Sequence, residues 1–213
     1  MPKGEKHNAI TAQIRRMIIA GEFPAGSRIR EQPLSEHLGV SRTPVRQALV
    51  SLATEGFVQL LPNRSAVVTE INADDVENIM DVIATLEARA AVLACEHATD
   101  REIKAVEQLQ EKMRNQFKTD DFTGYFATNQ LIHEAIVKSA RNPVLLWTWQ
   151  LVAARAQRAK SLSHRIEGRW EAAMAEHEAM IAALVARKGK QLANLLVKHH
   201  RIGVRLVRRM GKE

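Results

Sequence analysis

The chain has 213 residues, of which 46% are hydrophobic, and its formal net charge is +7. This length exceeds the common single-domain size, and the hydrophobic content is sufficient for a sizeable core. The sequence contains no run of about 18 apolar residues and no apolar signal segment at its start, which excludes a membrane span and favours a cytoplasmic protein.

The first segment with a clear pattern is an N-terminal helix. Its apolar residues recur at helical spacing up to a stop near Gly21: Ile10, Ile14, Met17 and Ile18. The run Pro24–Gly26 then breaks the chain before a short second helix that ends at Gly39. Three helices are therefore predicted once the next segment is included.

The third helix is predicted to begin at about Arg42. Ser41 suits its N-cap, where its hydroxyl oxygen is expected to accept a hydrogen bond from a backbone N–H group. Pro44 is tolerated because it falls in the first turn. A buried stripe follows i, i+3, i+4, i+7 spacing: Val45, Ala48, Leu49 and Leu52. The remaining faces present four side chains to a partner: Arg42, Thr43, Arg46 and Gln47.

The segment contains a short helix, a glycine turn and a second helix with a basic leading edge. This is the pattern of a DNA-reading helix-turn-helix. Arginine can bond guanine O6 and N7 or a phosphate, and threonine can bond a phosphate or contact a thymine methyl group. An ordinary helical hairpin with a solvated arginine face is the alternative interpretation. The sequence does not assign a contact to each residue.

A β-hairpin is predicted directly after this helix. Gly56 ends the helix, and the two strands are predicted at Phe57–Leu61 and Ala66–Thr69, with a turn at Pro62–Ser65 between them. Such a hairpin is the wing of a winged helix-turn-helix. Arg64 at its tip can reach a phosphate or the minor groove.

The run Gly39–Leu49 resembles the signature of the GntR-type bacterial transcription regulators, and the resemblance spans about Ile10 to Ile71. It implies a winged helix-turn-helix in which the residues matching Arg42, Thr43 and Arg46 contact operator DNA, assisted by the wing tip. The chain departs from the family at Ser65, where a glycine is usual, which implies a different wing turn.

Residues 72–213 are predicted to form a separate, wholly helical domain after the reading domain of residues 1–71. Turn signals divide it into about six helices, which favours an antiparallel bundle with room for a pocket. The first helix shows apolar periodicity: Ile79, Val82, Ile83, Leu86, Ala90 and Leu93. The only cysteine, Cys95, is predicted to be a buried small hydrophobe in a reducing compartment.

Four residues of this domain form a candidate metal site. Asn129 and His133 lie four residues apart on one helix face, and His177 and His199 are flanked by apolar residues on later helices. Three inward imidazoles suit zinc, nickel or a similar ion and leave coordination positions open. A buried histidine can equally be a satisfied core residue. The other five histidines are predicted to be exposed or locally bonded: His7, His37, His97, His164 and His200. Because His199 and His200 are adjacent, the sequence does not decide which of the two points inward.

The helical part resembles the FCD effector domain of the FadR-like subfamily, and its six helices favour the VanR-like branch. Many such domains bind a metal through an Asp-x-x-x-His pair and two later histidines, which match Asn129, His133, His177 and His199. The chain has Asn129 where the family more often has aspartate, and an amide oxygen is a weaker donor for a dication.

In this family the metal is structural or anchors the carboxylate of an effector, which implies a small organic acid as the ligand. Arg89 and Arg155 lie on helices that are expected to border the pocket, and they are candidates for pairing with such an acid. Ordinary surface ion pairs are the alternative for both arginines.

Charge is spread unevenly along the chain. The net charge is +3 over residues 1–71, −4 over residues 72–186 and +8 over residues 187–213. The basic residues at the C-terminal end are Lys198, Arg201, Arg205, Arg208 and Arg209. They can form a second DNA-facing surface, or they are a solvated helix end where the macrodipole favours cations.

Together these patterns predict a ligand-responsive DNA-binding transcription regulator, a repressor that reads a pseudo-palindromic operator as a homodimer. A helical module that binds nucleic acid or acidic partners without sequence specificity is one alternative. A histidine-ligated metallohydrolase is another, but no His-Glu-x-x-His run or paired acid-base spacing accompanies the histidines. The chain is therefore not expected to be an enzyme.

Overall fold

A computed structural model of the chain describes residues 3–62, 65–70, 73–163 and 169–210. These ranges contain nine α-helices and three β-strands. The chain divides into two compact units, Met1–Asn72 and Ala73–Glu213. Among the described helices, none has both the length and the apolar character needed to cross a bilayer.

The first unit is a winged helix-turn-helix, as the sequence predicted. Its elements in chain order are α1 (Lys3–Ala20), β1 (Arg28–Arg30), α2 (Glu31–His37), α3 (Arg42–Thr54), β2 (Val58–Leu61) and β3 (Ser65–Val68). The wing has three strands, because β1 pairs antiparallel with β3 on the side opposite β2. The sequence predicted only the hairpin of β2 and β3, because the three residues of β1 are too few to show a strand pattern.

The core of this unit forms where α1 packs against α3. The stripe predicted on α3 is buried throughout, and each of its members is at most 1% exposed: Val45, Ala48, Leu49 and Leu52. Ile14 of α1 is also completely buried. Next to this core, Arg15 donates two hydrogen bonds to Glu55, from Nε at 2.9 Å and from Nη2 at 2.7 Å. This forked pair joins α1 to the end of α3.

The turns at the two ends of α3 depend on glycine. Gly39 (φ +64°) precedes the helix and Gly56 (φ +76°) follows it, and both adopt the left-handed conformation that L side chains rarely occupy. Ser41 is the N-cap residue with extended backbone, but its side chain makes no capping hydrogen bond. The predicted hydroxyl cap is therefore wrong, although the predicted start of the helix is right.

The second unit is a helical domain, again as predicted. In the described residues it has α4 (Ala73–His97), α5 (Asp100–Lys118), α6 (Phe122–Ser139), α7 (Pro143–Ser163), α8 (Arg169–Val185) and α9 (Gly189–Met210). Helix α4 packs against α6, α7 and α9, while α5 packs against α6 and α8. The break predicted at Gly168 lies outside the described residues.

Helix α4 lies at the centre of these contacts, and its buried register differs from the predicted one. Val76, Met80 and Ile83 are at most 3% exposed, whereas Val82 is 46% exposed, so the prediction that Val82 belongs to the apolar face is wrong. The buried register continues through Glu87, which is 2% exposed. Cys95 is buried as expected, and burial raises the pKa of its thiol.

Candidate functional site

The leading edge of α3 presents the four predicted DNA-reading residues to solvent. Arg42, Thr43, Arg46 and Gln47 are all exposed, and the side chains of Arg42 and Arg46 retain 50% and 62% of their accessible surface. They lie in the first two turns of the helix, opposite the buried stripe. Recognition helices use this end to contact base edges in the major groove.

A buried carboxylate lies behind the two arginines. The side chain of Glu31, at the start of α2, is 8% exposed, and its oxygens are 3.8 Å from Arg42 Nη2 and 4.0 Å from Arg46 Nε. Opposite charges at these distances attract each other, which favours positions of both guanidinium groups near α2. Sequence reasoning did not find Glu31. The only indication in the sequence was an acidic residue at the start of α2, close to the basic residues of α3.

The wing adds basic residues beside α3. A groove of about 410 Å³ is lined by residues that include Arg28, Arg30 and Arg42. Arg28 and Arg30 are exposed and flank the buried Ile29 on β1. The sequence alone did not identify these two arginines, because an alternation of exposed and buried residues over only three positions is too short to predict a strand. Arg64 lies outside the described residues.

Inside the helical domain, three of the predicted metal ligands come together. His133 of α6, His177 of α8 and His199 of α9 are buried, and one ligand atom from each lies within 4.8 Å of the other two. Their ring centroids are 5.0 to 5.6 Å apart. Asn129 is also buried, one helical turn before His133 on α6. Three neutral imidazoles at this spacing match the donor set of a borderline divalent metal.

Two of these imidazoles are hydrogen-bonded to carboxylates. His133 Nδ1 lies 2.7 Å from Glu87 Oε2, and His199 Nδ1 lies 2.6 Å from Glu176 Oε2. An ionised carboxylate only accepts hydrogen bonds, so Nδ1 carries the hydrogen in each pair and Nε2 offers the lone pair. Metal-binding histidines commonly donate their second nitrogen to a carboxylate in this way.

Glu87 accepts two further hydrogen bonds, which sequence reasoning did not predict. His200 Nε2 donates to Oε2 at 2.7 Å, and Trp149 Nε1 donates to Oε1 at 2.9 Å. Burial alone raises the pKa of this carboxyl group, but its electrostatic and hydrogen-bond interactions with His133 and His200 outweigh burial and lower the pKa well below its usual value. The group is therefore an ionised carboxylate in the interior of the domain.

The structure corrects one prediction about the histidines. His200 was expected at the surface or in a local bond, but it is 1% exposed, so both members of the His199-His200 pair are buried. His37 and His97 are exposed as predicted, and His7 and His164 lie outside the residues whose side chains are described.

The basic residues predicted to bind an effector or DNA lie at the surface of the helical domain. Arg89 and Arg155 are both exposed, so the structure does not place them in the interior with the histidines. Lys198 and Arg201 are exposed on α9. The side chains of the other three basic residues predicted at this end, Arg205, Arg208 and Arg209, are outside those described.

A winged helix-turn-helix with an exposed basic reading edge defines a DNA-binding transcription regulator. Two family models agree with this class: the gntR family of bacterial regulatory proteins matches residues 6–68, and the FCD domain matches residues 78–201, more than half of the chain. The chain therefore belongs to the GntR family of bacterial regulatory proteins and carries an FCD domain.

Individual relatives are similar along most of the chain. The HTH-type transcriptional regulator YdhC of Bacillus subtilis is 29% identical over 88% of this chain and 84% of its own length. The Nta operon transcriptional regulator of Aminobacter aminovorans is 28% identical over 86% and 85%. The solved structure of McbR/YncC from Escherichia coli shares the fold, with a TM-score of 0.85 at 20% identity over 96% of this chain and 98% of that one.

We expect Arg46→Ala to weaken binding to a DNA sequence that the protein selects from a random pool by roughly 5- to 150-fold, because one bidentate base contact contributes about 1–3 kcal/mol. Binding to random DNA is expected to fall far less. Fluorescence anisotropy at one fixed salt concentration measures both affinities. The control is Arg16→Ala, which removes the same charge from an exposed position on α1. Equal losses for the two variants contradict the assignment of Arg46.

Proposed function

We propose that the protein is a repressor of the VanR-like branch that binds a pseudo-palindromic operator as a homodimer in the cytoplasm and responds to a small organic acid. The observation that carries this proposal is the buried cluster of His133, His177 and His199 in the domain attached to the DNA-reading unit. The six described helices of that domain support the branch assignment.

The donor set of the cluster fits a divalent ion of the zinc or nickel type. Each histidine offers a neutral nitrogen ligand, and Asn129 is the candidate fourth donor through its amide oxygen. This set contains no negatively charged ligand, so affinity is expected to be lower than with an aspartate at position 129. When bound, the ion would supply an open coordination position for a carboxylate.

The same cluster supports the proposed class of effector. A buried carboxylate needs a positive partner within contact distance, and the described arginines predicted for this role, Arg89 and Arg155, are exposed. We therefore assign the recognition of the acid to the metal centre rather than to these arginines. Binding of the acid would then change the spacing or mobility of the two reading heads and weaken the operator complex.

A second copy of the chain fits an apolar stripe on α7. Val144, Trp147 and Leu151 follow i, i+3, i+7 spacing on one face, and they are 69%, 62% and 50% exposed. Large apolar side chains grouped in this way favour burial against a partner. A homodimer doubles the few base contacts of one recognition helix and matches the two-fold symmetry of a pseudo-palindrome.

Removal of one histidine tests the metal site. We expect the wild-type protein to bind Zn²⁺ or Ni²⁺ in an equilibrium titration with a competing chelator, and to be stabilised by about 2.7 kcal/mol at a free metal concentration 100 times Kd. His177→Gln removes one of the three histidine ligands and should abolish this stabilisation. His97→Gln, at a residue whose side chain is 48% exposed, should leave it unchanged. Metal binding that survives His177→Gln would refute the site.

A panel of small mono-, di- and hydroxycarboxylic acids tests the effector class. In gel shifts of the selected operator with metal-loaded protein, we expect at least one acid to lower DNA affinity by roughly 5- to 150-fold, the usual range of allosteric coupling. The effect should be absent in His177→Gln. An acid that acts equally on this variant does not bind through the metal centre, and a panel without any effect speaks against a carboxylate effector.

A matched pair of leucine substitutions tests the dimer. Leu151→Glu places a charge in the stripe on α7 and should shift the protein toward monomers at micromolar concentration, with a parallel loss of operator affinity. Leu131→Glu makes the same change at a 45% exposed position on α6 and should leave the dimer intact. Light scattering after size-exclusion chromatography measures the mass. Dimers of unchanged stability in Leu151→Glu would exclude this face.

A further inference from the structure

Four helices of the FCD domain meet at one carboxylate. Glu87 of α4 accepts a hydrogen bond from His133 of α6, from Trp149 of α7 and from His200 of α9, at 2.7, 2.9 and 2.7 Å. All four side chains are at most 2% exposed. The predicted ligand set explains only His133, whereas Glu87, Trp149 and His200 have no role in it.

We propose that Glu87 is a positioning residue of the metal centre, which orients His133 with its Nε2 lone pair toward the ion and contributes a negative charge next to the ligands. This inference rests on the metal site proposed above. Its geometric basis is the Nδ1–H to Oε2 hydrogen bond, which leaves Nε2 as the only nitrogen of His133 with a lone pair to donate.

The charge of Glu87 matters because the proposed ligands of this chain are neutral. A dication among three imidazoles and an amide has no anion in direct contact, so anions one hydrogen bond away provide the nearest compensation. Glu87 does this through His133, and Glu176 does it through His199. Glu87 is the more effective of the two, since its side chain is 2% exposed and that of Glu176 is 17% exposed, and water screens a buried charge less.

His200 and Trp149 act on the carboxylate in turn. Both oxygens of Glu87 are occupied, Oε2 by two imidazoles and Oε1 by the indole. The carboxylate therefore cannot rotate without breaking a buried hydrogen bond, which is unfavourable because the group left without a partner is still shielded from water. Glu87 therefore fixes His133, and hydrogen bonds from α7 and α9 fix Glu87.

A second metal ion is the competing interpretation of this cluster. One ligand atom from each of Glu87, His133 and His200 lies within 4.8 Å of the others. Both nitrogen-to-oxygen distances are 2.7 Å, which is the distance of a direct hydrogen bond. With two ions, His133 would also have to coordinate one ion through each of its ring nitrogens. The geometry therefore favours one ion and a positioning carboxylate.

The first test compares Glu87→Gln with Glu107→Gln, which makes the same change at a half-buried residue of α5 whose side chain is 38% accessible. An amide has one acceptor oxygen and cannot replace the carboxylate toward three donors. We expect Glu87→Gln to weaken Zn²⁺ binding by roughly 10- to 100-fold in a chelator competition, and Glu107→Gln to leave it unchanged. The wild type should bind one ion per chain. Equal affinity in the two variants, or two ions per chain, overturns the inference.

The second test needs no metal, and its decisive measurement is made on the wild-type protein. Long-range ¹H–¹⁵N spectra of metal-free wild-type protein report which nitrogen of each imidazole carries the hydrogen. We expect Nδ1–H for His133 and Nε2–H for His200, and in Glu87→Gln the Nδ1–H form of His133 should lose its dominance. An Nε2–H form of His133 in the wild type overturns the inference even if Glu87→Gln does not fold. A wild-type protein with the expected tautomers that binds no metal refutes the metal site but confirms the contact of Glu87.

Discussion

A carboxylate in the interior of a helical bundle stays ionised only where hydrogen-bond donors replace the water it has lost. Glu87 meets this condition with donors from three other helices. Apolar contacts have no preferred direction, whereas hydrogen bonds require specific angles, so these three contacts restrict how α6, α7 and α9 can rotate about their axes. The direction of the His133 ring follows from this restriction.

The DNA-reading unit repeats this arrangement on a smaller scale. Glu31 is buried at the start of α2, and the guanidinium groups of Arg42 and Arg46 lie near its oxygens while at least half of each arginine side chain remains exposed. In both units a buried glutamate lies against basic side chains, the two exposed arginines of α3 in one and His133 and His200 in the other. The contacts in the reading unit are longer and more exposed, so they contribute less energy and leave the arginines freer to adapt to a base sequence.

Local patterns were sufficient to predict the fold and three of the four histidines that are buried in the helical domain. The stripe from Val45 to Leu52 and the glycines around α3 are periodic or local signals, and the structure confirms them. Predictions failed where one residue had to be assigned to a face. Val82 is apolar but exposed, because the buried register of α4 instead runs through Glu87.

The residues that sequence reasoning missed depend on contacts between distant parts of the chain. Glu87 and His200 are 113 positions apart, and no periodicity within one helix pairs them. Arg28 and Arg30 belong to the wing only because β1 pairs with β3, and the sequence does not predict this pairing. The single local signal was the acidic residue itself, since a glutamate on the apolar register of α4 requires buried partners from somewhere in the fold.

Helix α7 carries two indoles on opposite faces, and this has a spectroscopic consequence. Trp149 is 2% exposed with its N–H on Glu87, while Trp147 is 62% exposed in the apolar stripe. A buried indole emits at shorter wavelengths than a solvated one, and aqueous quenchers reach only the latter. With Trp170 of α8 replaced by phenylalanine throughout and the two indoles of α7 replaced in turn, the remaining emission reports separately on the interior of the domain and on its outer face.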